Sequence, residues 1–164
     1  MKTASIYYSF SGNTKKVAAI LSGLLLEKGP VEQIELQALD ESRAFLGQCA
    51  RAIKHTKGEI AAVNFDLSSF DLIFFGTPVW AFGPAPAMNT YLDKCTGVAG
   101  KEVILFSTYG SGAGKERCLN YMQEILSKKG AQQFSRFHIQ QFKVKDKDFI
   151  VSEIKKIMRL WPNG

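Results

Sequence analysis

The 164-residue sequence contains no apolar run near the roughly 20 residues that a membrane-spanning helix needs. Its opening apolar stretch is too short and too rich in hydroxyl groups for a secretory signal peptide, because Ser11-Gly12-Asn13-Thr14 follows at once. Low-complexity tracts are also missing, and the length fits a single domain over residues 1–164. We therefore expect a globular, cytoplasmic protein without a membrane partner.

Cysteine and histidine are scarce. The sequence has three cysteines, Cys49, Cys95 and Cys118, which lie far apart and form no CxxC pair. An odd number without close spacing argues against a disulfide framework, a zinc site or an iron–sulfur cluster. The two histidines, His55 and His138, have no nearby histidine, cysteine or carboxylate pair in the sequence. These patterns predict cysteines that pack in the core and no metal site.

Charge is distributed unevenly along the chain. Residues 3–14, 72–92 and 103–114 carry no charged side chain. The formal net charge of +6 arises from residues 128–164, which hold 9 basic and 3 acidic side chains. Such an excess can indicate nucleic-acid binding, but no nucleic-acid motif or interleaved aromatic residues accompany it. We interpret it as a solvated helix face and a lysine-rich loop, and we predict no nucleic-acid partner.

The apolar residues alternate between short runs and helical spacing. Five strands are predicted, at Ala4–Tyr8, Val31–Leu36, Leu72–Phe75, Val103–Phe106 and Gln133–Ile139. Five helices are predicted between and after them, over residues 17–25, 44–53, 87–95, 118–126 and 150–161. This alternation indicates an α/β three-layer sandwich, in which helices cover both faces of a parallel sheet.

The composition of the strands predicts their order. The first, third and fourth strands are almost entirely apolar, as strands buried on both faces must be, whereas the second and fifth carry polar residues throughout. The order 2-1-3-4-5 places the apolar strands inside and the polar strands at the edges. Ligands of such sheets bind beyond the carboxyl ends of the first and third strands. The loops at residues 9–14 and 76–83 are therefore the expected site.

The first of these loops has the properties of a phosphate site. It consists of Ser9, Phe10, Ser11, Gly12, Asn13 and Thr14. The N-terminus of the helix that follows presents unpaired N–H groups and a partial positive charge, and Gly12 allows the backbone to approach an anion closely. A helix cap alone requires one polar residue. The several hydroxyl and amide side chains of this loop therefore favour phosphate binding.

Two further loops follow the third and fourth strands. The second loop contains Thr77, Pro78, Val79, Trp80, Phe82 and Gly83, and the third contains Ser107, Thr108, Tyr109, Gly110 and Gly112. Aromatic rings in a loop rich in Gly and Pro favour a flat ligand stacked on a rigid wall, with Trp80 as the first candidate. Inward packing of either ring is the alternative. Glycines in the third loop leave backbone amides able to meet a polar ligand edge.

Several enzyme classes do not fit these loops. The third loop is not a nucleotide-binding P-loop, because Tyr109 stands where the motif requires glycine and Lys115 is followed by Glu116. A phosphate-accepting receiver domain shares the strand order but needs an aspartate where Gly76-Thr77 stands. The loops also lack a general acid, a general base and an activated nucleophile, so we predict no catalytic side chain. A cofactor that carries its own reactivity is the simpler explanation.

At this point the sequence resembles the flavodoxin family. Residues Ser9–Thr14 fit every fixed position of its phosphate loop, [ST]-x-[ST]-G-x-T. Gly76-Thr77-Pro78 with Trp80 is similar to the first isoalloxazine loop, and Ser107–Gly114 lies in the place of the second. The order of elements agrees over nearly the whole chain, and the short connection near the last strand is similar to that of short-chain members.

The resemblance implies that FMN is the cofactor. The first loop would hold its phosphate, Trp80 would cover one face of the flavin, and backbone groups at residues 77–79 and 109–112 would meet the ring edge. The implied function is electron transfer to an unidentified redox partner protein. The alternatives are an FMN-dependent NAD(P)H:quinone oxidoreductase acting on a small quinone, and a flavin-free binding module. Electron-carrying members are typically acidic, whereas this chain is basic.

Overall fold

The computed structural model describes residues 1–39 and 56–159, which are organised around a five-stranded sheet. The strands are β1 (Thr3–Tyr7), β2 (Val31–Glu35), β3 (Leu72–Pro78), β4 (Glu102–Tyr109) and β5 (Gln133–Gln140). Their order is β2-β1-β3-β4-β5, and every neighbouring pair is parallel. The predicted fold class and strand order are confirmed.

Four α-helices lie in the described part of the chain. They are α1 (Asn13–Leu25), α2 (Pro86–Lys94), α3 (Lys115–Lys128) and α4 (Lys147–Arg159). The helix predicted over residues 44–53 and the predicted end of the last helix, at residues 160–161, lie outside the described residues. Each of the four helices includes most of the residues of one predicted helix, because the buried apolar positions recur every three or four residues.

The sheet is buried on both faces. Side chains such as Ile73 and Phe75 point to the face covered by α2 and α3, and their neighbours Leu72 and Phe74 point to the face covered by α1 and α4. A strand between two helical layers has no solvated face, which explains why β3 is an unbroken apolar run. The edge strand β2 is partly exposed, as its polar composition predicts.

The described residues also allow a search for membrane spans, metal sites and buried cysteines. No helix among them has the length and hydropathy required to cross a bilayer. Within the same residues, no three His, Cys, Asp or Glu side chains are grouped closely enough to hold a metal ion. Cys95 and Cys118 are buried, as predicted, and burial raises the pKa of the Cys95 thiol to about 11. Cys49 lies outside the described residues.

Gly76 lies near the carboxyl end of β3, which spans Leu72–Pro78. A Cβ atom at this position would lie 2.0 Å from Cζ of Phe106, its register partner on β4. The Phe106 ring is fully buried and stacks on Phe137 with 5.4 Å between centroids, so it has little room to move. Glycine is therefore required here by packing rather than by backbone conformation.

We expect Gly76→Ala to lower the free energy of unfolding by about 1–3 kcal/mol, the usual cost of overpacking a core. Urea denaturation of the cofactor-free protein measures this change. Gly23→Ala is the matched control, because a Cβ at Gly23 in α1 would meet no atom within 4 Å. That substitution should raise stability by roughly 0.5–1 kcal/mol through helix propensity. Equal stability of the wild type and Gly76→Ala would contradict the packing argument.

Candidate functional site

A cavity of about 420 Å³ opens at the carboxyl ends of β1, β3 and β4. It is lined by Phe10, Ser11, Asn13, Pro78, Val79, Trp80, Thr108, Tyr109, Gly110, Ser111 and Gln141. All of these described lining residues are uncharged. The cavity is bordered by the three loops predicted from the sequence and lies at the switch point of the sheet, where α/β proteins of this kind bind ligands.

The first loop leads into α1 through Gly12, which adopts a φ of +84°. The Ser9 hydroxyl accepts a hydrogen bond of 3.1 Å from the backbone N–H of Lys15, and the Gly12 carbonyl accepts one of 3.1 Å from Lys16. Among the described residues, the backbone N–H groups of residues 11–14 have no acceptor. Unpaired amides at a helix N-terminus form an anion site, and they border the cavity beside Ser11 and Asn13.

A buried pair of hydroxyl groups joins the first loop to the third. Oγ1 of Thr14 lies 2.8 Å from Oγ1 of Thr108, and both side chains are buried. One hydroxyl of the pair must donate to the other, which leaves one O–H free to donate outside the pair. Because Thr108 lines the cavity, the pair both holds two loops together and keeps a hydrogen-bond donor at their junction.

The second loop contains a tight turn with an unusual backbone. Trp80 and Gly83 exchange two backbone hydrogen bonds of 2.9 Å, so Ala81 and Phe82 form a two-residue turn. Their φ angles are +45° and +72°, a conformation that favours glycine or asparagine. The Phe82 ring packs over Gly114, where a Cβ would lie 2.2 Å from Cδ1 of Phe82. The missing side chain of Gly114 therefore makes room for the strained turn.

The aromatic residues of the first two loops have different environments. Trp80 is only 4% exposed and makes edge-on contacts with Tyr8 and Phe10, at centroid distances of 5.7 and 5.5 Å. It nevertheless contributes to the cavity wall. Phe82 is 46% exposed and borders a neighbouring cavity of about 150 Å³ instead. Stacking of Trp80 on a ligand stays a prediction.

The third loop contributes four consecutive residues to the cavity wall, Thr108, Tyr109, Gly110 and Ser111. The backbone carbonyl of Thr108 accepts a hydrogen bond of 2.8 Å from the N–H of Val79, which ties this loop to the second one. The Lys115 ammonium group lies 4.9 Å from the centre of the Tyr109 ring. The aromatic ring is thus held from outside by a cation–π contact.

The other predicted site residues lie behind the cavity wall or beside it. Thr77 is fully buried, and its hydroxyl accepts a 3.1 Å hydrogen bond from the Ala85 backbone. Ser107 is also buried and contacts His138. The predicted residues that do not line the main cavity are Ser9, Gly12, Thr14, Thr77, Phe82, Gly83, Ser107 and Gly112. Thr77 and Ser107 fix the shape of the loops through these hydrogen bonds and do not form the cavity surface.

Two lining residues were not named individually from the sequence, Ser111 and Gln141. Ser111 lies inside the backbone range 109–112 that was expected to meet the ring edge, whereas Gln141 was missed. Gln141 follows β5 directly, in a short 3-10 turn over Gln141–Lys143. Gln141 could have been predicted from the strand order, because the carboxyl ends of all parallel strands lie at one edge of the sheet and Gln141 directly follows β5. Gln141 belongs to the basic segment of residues 128–164, so that segment passes beside the cavity at this point.

Lys15, the charged side chain nearest in sequence to the first loop, points away from it. Its ammonium group lies 2.6 Å from a carboxylate oxygen of Glu35 on β2. The hydrogen bond and the charge of Glu35 raise the pKa of Lys15. An anion in the cavity would thus be bound by backbone amides and hydroxyl groups instead of by this lysine.

Comparisons with known proteins give the family and the fold. A protein-family model described as NADPH-dependent FMN reductase matches residues 1–143. A flavoprotein from Lactobacillus acidophilus NCFM, solved in complex with FMN, is 22% identical with a TM-score of 0.61, over 90% of this chain and 98% of that one. An NADH:FMN oxidoreductase in its apo form is 18% identical with a TM-score of 0.66, over 96% of this chain and 86% of that one. Flavodoxin 1 of Bacillus cereus is 18% identical with a TM-score of 0.60, over 95% of this chain and 98% of that one.

We expect the Thr14–Thr108 pair to be energetically coupled. Replacing either threonine with valine removes one hydroxyl and leaves its buried partner unpaired, which costs about 1–3 kcal/mol of stability. The double variant should lose less than the sum of the single losses, by roughly 0.5–1.5 kcal/mol, because no orphaned hydroxyl remains. Urea denaturation of the four proteins without cofactor completes the cycle. Additive losses would show that the two hydroxyl groups do not interact.

Proposed function

Because the chain belongs to the family of NADPH-dependent FMN reductases, whose model matches residues 1–143, we propose that it transfers electrons through one bound FMN. FMN is the cofactor that the family match supports, as the sequence predicted. The described residues fit it. The cavity of about 420 Å³ has unpaired helix amides at one end and aromatic and backbone groups at the other, which suit a phosphate and a flat ring system.

The residues of the first loop would hold the phosphate. The N-terminal amides of α1 and the side chains of Ser11 and Asn13 border the cavity, and the Thr14–Thr108 pair retains one O–H donor. None of these groups carries a charge, so binding would rely on directed hydrogen bonds and the helix dipole. The first loop would suit the phosphate because its N–H and O–H donors are held in place before the phosphate binds.

The second and third loops would hold the flavin ring. Bound FMN supplies reversible two-electron chemistry that no side chain here can provide. Pro78, Val79 and Trp80 would exclude water from one side of the ring, and the backbone of Tyr109–Ser111 would orient its polar edge. The described lining contains no acid or base, so protons would be exchanged with solvent at the cavity mouth.

A reductase is the form of electron transfer that we favour. Its overall reaction would be NADPH + H⁺ + quinone → NADP⁺ + quinol, in which NADPH gives up a hydride and solvent supplies the proton. Two observations support this choice. The matching family model is that of a reductase, and the cavity lining has none of the carboxylates typical of acidic electron carriers. An uncharged site suits a small, neutral, flat acceptor.

An electron carrier that docks with another redox protein is the second candidate. The fit of Ser9–Thr14 to the flavodoxin phosphate loop and the likeness in fold to flavodoxin 1 of Bacillus cereus favour it. A carrier would need a separate enzyme to reduce it. A reductase would oxidise NADPH without one.

We expect the purified, FMN-loaded protein to oxidise NADPH continuously when a soluble quinone is present. The measurement is the loss of NADPH absorbance, with protein stripped of FMN as the control. A reductase turns over many times per bound flavin. If NADPH is not consumed although dithionite bleaches the bound flavin and quinone restores its colour, the protein is an electron carrier. A colourless protein that binds no added FMN would contradict both candidates.

We also expect FMN to bind at least about tenfold more tightly than riboflavin, which lacks the phosphate. Each lost hydrogen bond to a charged group costs about 1.5–3 kcal/mol, and about 1.4 kcal/mol corresponds to a factor of ten. Titration of the stripped protein, followed by quenching of flavin fluorescence, gives both affinities. Equal affinities would show that the first loop does not bind the phosphate.

A further inference from the structure

One imidazole ring connects both ends of the third loop. Nδ1 of His138, on β5, lies 2.8 Å from Oγ of Ser107, which is near the end of β4. Nε2 of the same ring lies 3.0 Å from Oε1 of Glu116, in the first turn of α3. The chain between Ser107 and Glu116 includes every third-loop residue that lines the cavity. The ring therefore bridges the start and the end of that loop.

The chemistry of the three groups defines their hydrogen bonds. A carboxylate can only accept, so Nε2 of His138 must carry the proton that Glu116 receives. In the neutral ring, Nδ1 is then an acceptor, and the Ser107 hydroxyl donates to it. Both bonds are satisfied together by the neutral imidazole in this tautomer. A ring protonated at Nδ1 could no longer accept from Ser107, so the serine hydroxyl would have to turn and become the acceptor.

The surroundings keep the imidazole neutral at physiological pH. Burial lowers the pKa of His138, and the positive charges of Lys115 on α3 and Arg136 on β5 lower it further. Glu116 acts in the opposite direction but does not outweigh burial. The Tyr109 ring of β4 meets the imidazole edge-on, with 6.3 Å between centroids.

Other hydrogen bonds hold the first part of the loop. Nε2 of Gln140 donates to the Gly110 carbonyl at 3.3 Å, and the Val79 N–H donates to the Thr108 carbonyl at 2.8 Å. Both act on residues 108–110. The contact between His138 and Glu116 acts beyond Ser111, where the loop enters α3. The imidazole thus couples the end of the loop to its beginning, beside the cation–π contact between Lys115 and Tyr109.

We propose that His138 is a positioning residue for the cofactor, because it joins Ser107 to Glu116 and thereby keeps the third loop in its binding shape. This inference rests on the proposed FMN site but not on the choice between reductase and carrier. His138 does not line the cavity and acts through the loop. Its loss should loosen residues 109–114 and weaken FMN binding.

The main test compares FMN affinity and amide exchange in the wild type and His138→Phe. Phenylalanine keeps a planar ring but neither nitrogen. We expect the FMN dissociation constant to rise about five- to tenfold, the factor that corresponds to about 1 kcal/mol or slightly more. Hydrogen exchange at residues 109–114 should accelerate in the cofactor-free protein, while exchange in β1 stays unchanged. Ser107→Ala removes the first contact alone and should have the same effects, which keeps the test valid if His138→Phe does not fold.

Two variants on α3 separate the bridge from general effects of charge. Glu116→Leu removes the acceptor of Nε2, so we expect the FMN dissociation constant to rise about five- to tenfold, as for His138→Phe. Glu124→Leu is the matched control on the same helix. Glu124 pairs with Lys128 at 2.6 Å and is remote from the loop in sequence, so its loss should leave FMN binding unchanged. Equal weakening by both variants would contradict the bridge.

The pH profile distinguishes positioning from a purely structural role. Once the pH has fallen far enough below the ordinary histidine pKa of about 6.5 to reach the lowered pKa of His138, the wild type should lose FMN affinity more steeply than His138→Phe, because only the wild type has an imidazole that can be protonated. The FMN phosphate also titrates near pH 6, but it does so equally with both proteins. Identical affinities and pH profiles in the two proteins would overturn the proposal. Failure of the wild type to bind FMN would instead refute the proposed function, and exchange at residues 109–114 would still test the bridge.

Discussion

An uncharged site can bind an anion only if its N–H and O–H donors already point to the place where the anion will lie. Lysine and arginine attract phosphate over several ångströms, whereas backbone amides and hydroxyl groups act at contact distance. The cavity lining described here has no charged side chain. In the proposed site the position of each loop backbone would therefore determine how well phosphate binds, and much of the local structure can be understood as fixing those positions.

The loops are held by a set of cross-connections at the carboxyl end of β4. Ser107 and Thr108 are adjacent in this strand and point to opposite faces of the sheet, so Ser107 reaches His138 while Thr108 reaches Thr14. The Thr108 carbonyl also accepts from Val79. Ser107 and Thr108 thus connect the first, second and third loops by hydrogen bonds, and all of these bonds start at the carboxyl end of β4.

The fold and the loops were predictable because they follow from local patterns. Strands buried on both faces must be apolar, and that requirement places β3 and β4 inside the sheet. Tertiary contacts were not predictable in the same way. Ala81 and Phe82 have no intrinsic preference for positive φ, and their turn depends on the space that Gly114 provides some 30 residues later. The role of His138 depends on two residues that are distant from it in sequence.

The neutral lining has an electrical consequence for the whole molecule. Binding adds the cofactor's charge of roughly −1.5 to −2 to that of the chain, and no side chain of the described cavity lining neutralises it locally. The formal net charge of +6 should therefore fall to about +4 on loading, with a lower isoelectric point. In the proposed site that negative charge would lie beside Ser11 and Asn13, among described lining residues that carry no charge. The field that an approaching electron donor or acceptor meets at the cavity would thus be created largely by the cofactor itself.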